Sequence, residues 1–115
     1  MRMLVACLLF ASPALAEIPQ ITGAEAQRAG TGWRIDVTLS HPDTGWDHYA
    51  DGWRVELADG TVLGTRDLAH PHVEEQPFTR SMSGMTIPEG VARVQIRARC
   101  NVDGWGTETY SLSLR

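Results

Sequence analysis

Along most of the chain apolar and polar residues alternate one for one, and the alternation restarts after each turn signal. Trp33-Arg34-Ile35-Asp36-Val37-Thr38-Leu39-Ser40 has its apolar side chains at the odd positions, which puts them on one face of a strand and the polar ones on the other. Trp53-Arg54-Val55-Glu56-Leu57 repeats the pattern and runs into Asp59-Gly60, a pair suited to the positive φ angles of a hairpin turn, after which Thr61-Val62-Leu63 returns. A weaker strand over 78–82 is broken by Ser83-Gly84, and Ile87-Pro88-Glu89-Gly90 reads as a turn. Over 91–100, Val94, Ile96, Ala98 and Cys100 share one face while Arg93, Gln95, Arg97 and Arg99 take the other. A loop over 101–106, a closing strand over 107–114 and an opening strand over 18–26 complete the pattern. No stretch of ten residues keeps apolar spacing at i, i+3, i+4 and i+7, so no helix is predicted. The expectation is an all-β sandwich of about seven antiparallel strands.

The first sixteen residues break this pattern. MRMLVACLLFASPALA carries one positive charge at Arg2, an apolar run from Leu4 to Ala11, and small residues at Ala14 and Ala16, which reads as a signal peptide cleaved after Ala16. The run is too short to span a membrane, which takes about 20 residues, so no transmembrane segment is expected. Leu4-Val5-Ala6-Cys7 also resembles a bacterial lipoprotein box. The longer apolar run and the site at Ala16 favour plain cleavage, to a periplasmic or secreted domain over 17–115.

Composition adds two constraints. The mature chain loses Arg2 and Cys7, leaving Cys100 as its one cysteine, so no internal disulfide is available and stability rests on a packed core. The charge is −4 for the whole chain, and the arginines from Arg28 to Arg99 are scattered, with no stripe to track phosphates; nucleic acid is not an expected partner.

Trp53-x-Val55-x-Leu57, Ile87-Pro88-Glu89-Gly90, and Val94-x-Ile96-x-Ala98-x-Cys100-Asn101 with Gly104-x-Gly106 together resemble the later strands of fibronectin type III and related Ig-like modules. The resemblance covers about the last two thirds of the mature chain. It departs at Leu39, where those modules often carry Trp, and in lacking their tyrosine near the start of the sixth strand. It implies a sandwich topology and a role in binding or spacing.

The chemistry-bearing residues gather at one predicted end. If Ala58 pairs with Thr61, partners sum to 119; Trp53 then meets Arg66, Tyr49 meets His70 and Asp47 meets His72. His41, His48, His70, His72, Cys100, Trp46, Tyr49 and Trp105 would thus share one rim. His70-Pro71-His72 is the sharper element, because i and i+2 project from one face of an extended segment. With His41 or His48 it forms a candidate site for copper or zinc, with Asp47, Asp51 and Glu74 at hand to orient the rings. Cys100 reads as a small buried hydrophobe. Met82 and Met85 read as packing, and Asp43, Asp47 and Asp51 lack the ligand pattern of a calcium loop. The alternative function is contact with an envelope protein or glycan through Trp46, Tyr49 and Trp105. Without a Gly-x-Ser-x-Gly elbow, a phosphate-cradling loop or a His-Glu-x-x-His helix, an enzyme is not expected.

Overall fold

The computed structural model describes residues 17–114, and the signal-peptide and lipoprotein-box readings lie outside them. Eight strands follow in order: β1 (Gln20–Ala29), β2 (Gly32–Ser40), β3 (Ala50–Glu56), β4 (Val62–Asp67), β5 (Phe78–Met85), β6 (Arg93–Cys100), β7 (Gly104–Trp105) and β8 (Tyr110–Ser113). They form two antiparallel sheets. One has the order β1-β2-β5, and the other runs β4-β3-β6 with β7 and β8 both paired to β6. The eighth strand beyond the seven expected is the two-residue β7, inside what reads from sequence as a loop.

Alternation decides what faces inward. Ile35, Val37 and Leu39 of β2, Trp53 and Val55 of β3, and Val94, Ile96 and Ala98 of β6 are all buried and form one core with Phe78, Met85 and Leu112. Fully burying each of these aliphatic or aromatic side chains is worth roughly 1.5–3 kcal/mol, which lets this small domain fold without a disulfide. Trp33 packs at the margin of the core, and Met82 joins it there.

The predicted hairpin register is observed where Gly52 pairs with Asp67, Trp53 with Arg66, Arg54 with Thr65 and Val55 with Gly64. It stops there, and the extension that would pair Tyr49 with His70 and Asp47 with His72 does not form. Leu68 donates its backbone N–H to the Asp51 carbonyl and buries its side chain, and the chain then crosses over residues 68–77 to the other sheet, where β5 pairs with β2. On the other side, Ala50 pairs with Cys100. His70 and His72 therefore sit in the crossover, not on a continued hairpin.

Candidate metal centre

Three donors meet at the end of the sandwich where β2 and β6 finish and β3 begins. One ligand atom each from His41, His48 and Cys100 lies within 4.8 Å of the others. His41 directly follows β2 in the first sheet, and Cys100 closes β6 in the second. Between them, the chain makes a tight turn at Gly45, Trp46 and Asp47, with Thr44 N–H donating to the His48 carbonyl at 2.9 Å. Gly45 has φ of 139°, a conformation that side chains rarely adopt. The turn returns His48 beside His41, with ring centroids 4.7 Å apart and nearly perpendicular.

His41 is buried, and its Nδ1 lies 2.6 Å from Asp43 Oδ1, a side chain with no exposed surface. The same Asp43 oxygen accepts from Ala50 N–H at 2.9 Å, and Oδ2 accepts from His72 N–H at 2.8 Å. A carboxylate on Nδ1 turns the other nitrogen, Nε2, toward whatever lies across the ring. Here Nε2 stands 2.6 Å from the Glu17 carbonyl oxygen, so an ion would reach that nitrogen only in place of the carbonyl. Glu17 Oε2 lies 3.6 Å from His48 Nδ1. His48 Nε2 stands 3.7 Å from Cys100 Sγ. The thiol is fully buried, which pushes its pKa up, and it accepts the Asp103 backbone N–H at 3.2 Å.

His70 and His72 share the same rim but lie outside this group. The His72 ring stacks on Phe78 with centroids 3.9 Å apart, its Nε2 accepts from Arg80 at 2.7 Å, and its Nδ1 is buried without a partner. A guanidinium on one nitrogen and buried packing around the other leave no lone pair facing an ion. Burial, Arg80 and His70 together hold the His72 pKa below its ordinary value. His70 is exposed and its Nδ1 is turned to the Pro71 carbonyl, 3.1 Å away. Sequence reading paired the two histidines by spacing, whereas burial and tertiary partners decide which nitrogens are free. The sequence also offered Asp47, Asp51 and Glu74 to orient the rings, but Asp51 is bound to Arg99 and the orienting carboxylate is Asp43.

The aromatics divide. Trp46 is 66% exposed and meets Tyr49 edge to face, while Trp105 packs against the guanidinium groups of Arg54 and Arg99, which lie 4.1 and 4.8 Å from its centroid. A cleft of about 460 Å³ beside β1 and β8 is lined by Ile18, Ile21, Ala98 and Tyr110 among others, and by none of the histidines.

No family model matches the chain. A protein of Halomicrobium mukohataei whose name describes it as a lipoprotein is 43% identical over 77 residues, which is 67% of this chain. The chain spans only 37% of that relative's length. Among solved structures, a hypothetical protein from Pyrococcus horikoshii aligns over 85% of this chain and 88% of its own, with a TM-score of 0.55 and 16% identity. A superoxide reductase (neelaredoxin) from Archaeoglobus fulgidus aligns over 93% and 98%, with a TM-score of 0.51 and 16% identity. These likenesses bear on the fold. Neither neighbour is described as a fibronectin type III or immunoglobulin module, so the likeness supports a small all-β fold and not membership of those families.

The second neighbour also corrects the expectation of a non-enzymatic module, since the same fold serves as a superoxide reductase. The motifs sought in the sequence are signatures of nucleophilic, phosphate and helix-borne metal chemistry.

Proposed function

We propose that this chain is an exported β-sandwich metalloprotein that holds one transition-metal ion between His41, His48 and Cys100 and uses it for one-electron chemistry on superoxide. The convergence of two imidazoles and a thiol at one buried corner, drawn from both sheets, carries the reading. Two nitrogens and a sulfur suit copper, zinc or iron and not calcium or magnesium. When bound, a redox-active ion supplies the one-electron couple. The chain's own contributions are clear: Cys100 gives up its thiol proton on binding, Asp43 fixes the His41 ring, and burial of His41 and Cys100 keeps bulk water from that side. The superoxide reductase of similar fold supports the reaction, and the lipoprotein relative supports export.

Metal analysis of freshly purified protein is expected to find about one transition-metal ion per chain. At a hundredfold excess over Kd, the ion would add about 2.7 kcal/mol and raise the unfolding midpoint of a domain this size by about 11–22 °C. His48→Ala and Cys100→Ser should abolish that rise, and metal-loaded protein should consume superoxide faster than metal-free protein. No bound ion and no rise with iron, copper or zinc would overturn the reading.

A second reading rests on the exposure of Trp46. Its turn is pinned by Asn101 Nδ2, which donates to the Trp46 carbonyl at 3.0 Å, and a rigid exposed indole fits contact with an envelope protein or glycan. Trp46→Ala should weaken such contact without affecting metal uptake.

A further inference from the structure

The return from β6 into β7 brings a fourth group to the corner. Asp103 Oδ2 lies 3.5 Å from Cys100 Sγ, which donates to it, and 4.0 Å from His48 Nε2. His48 Nε2 is itself 3.7 Å from the same sulfur. The three atoms form a triangle on one side of the histidine, while Glu17 occupies the other side, at Nδ1.

The size of the triangle is informative. Metal–ligand bonds of about 2.0–2.2 Å to nitrogen or oxygen and about 2.3 Å to sulfur, set at tetrahedral angles, put neighbouring donors about 3.4–3.6 Å apart. Two of the three edges are already close to that, and the third closes by about half an ångström on binding. Carboxylates stand at Nδ1 of both rings, Asp43 on His41 and Glu17 on His48, which directs Nε2 of each toward an ion; that of His48 already faces Cys100 and Asp103, whereas that of His41 meets the Glu17 carbonyl and would serve only once that contact opens. Gly104, with φ of 75°, turns the chain immediately after Asp103 and lets β7 pair back onto β6, with Gly104 opposite Cys100.

We infer that Asp103 is the fourth metal donor, completing a set of two imidazole nitrogens, one thiolate and one carboxylate oxygen for a divalent transition metal. This rests on the metal centre proposed above and extends it. A carboxylate in the set favours a divalent ion over copper(I), which prefers soft ligands throughout.

Cobalt(II) titrated into metal-free full-length protein is the probe. The native protein should show intense visible bands of a four-coordinate ion together with a thiolate-to-cobalt charge-transfer band. Asp103→Asn and Asp103→Ala should keep the thiolate band, shift and weaken the visible bands as water enters and the coordination number rises, and weaken cobalt binding about tenfold or more. Asp47→Asn, in the neighbouring turn, should leave affinity and spectrum unchanged. If native protein shows a thiolate band that Cys100→Ser removes, yet both Asp103 variants match it in intensity and affinity, the role of Asp103 is overturned while the three-residue centre stands. If native protein binds no cobalt through Cys100, both fall together. Thermal unfolding of the metal-free variants, with midpoints matching the native protein, identifies a loss of binding as local.

Discussion

A carboxylate with no exposed surface survives inside a protein only when its oxygens are occupied. Asp43 meets that condition three times over, accepting from Ala50 N–H, His72 N–H and the His41 ring. Asp43→Ala would orphan two buried backbone donors and an imidazole at once, so a loss of about 3 kcal/mol or more is expected in urea unfolding. Asp43→Asn keeps one acceptor oxygen and should lose less. None of this is legible from position 43, where an aspartate two residues after a histidine and five before another reads as an ordinary loop residue. Its partners come from β3 and from the crossover, about thirty residues on in the case of His72, and spacing does not reveal them. Cys100 shows the same limit: alternation correctly buries it, but does not say that the side chain faces His48 instead of joining the apolar core.

Strands were far more legible, because a period of two is imposed by the pleat and survives in the sequence wherever one face is buried. In β2 and β6 the inward residues stand where alternation put them. The hairpin of β3 and β4 followed its turn until Leu68 was drawn inward, and the sequence gives no signal at that position for a change of sheet. The element that positions the corner is the β6–β7 return. Gly104→Ala forces a side chain into positive φ, expected to cost about 1 kcal/mol in equilibrium unfolding and to weaken metal uptake with it. Ile96→Ala, by contrast, should cost about 2–5 kcal/mol through the cavity it leaves in the core, measured the same way.

At the level of the whole molecule, pH enters through His72. Its folded pKa lies below the ordinary 6.5 because burial, Arg80 and His70 oppose the charged form more strongly than Glu75 and Asp43 support it. The unfolded chain therefore takes up a proton first, and stability present above about pH 6.5 is lost as pH falls toward the folded value. Denaturant midpoints measured between pH 7.5 and 5 should fall in native protein and fall less in His72→Gln. Glu56, held low by Arg97 and Arg54, and Asp36, held low by Ser81 and Arg34, act in a separate window at lower pH, where protonation removes their contribution.

The donors at the corner do not come from one sheet. His41 follows a strand of one layer, whereas Cys100 ends a strand of the other and His48 leads into its neighbour. An ion held there would be a clasp between the two sheets, doing for this chain what a covalent cross-link does elsewhere, but releasable by a chelator. On the proposed reading, the opening of the layers and the loading of the ion would be one equilibrium, so that the loaded form would be the hardest to take apart.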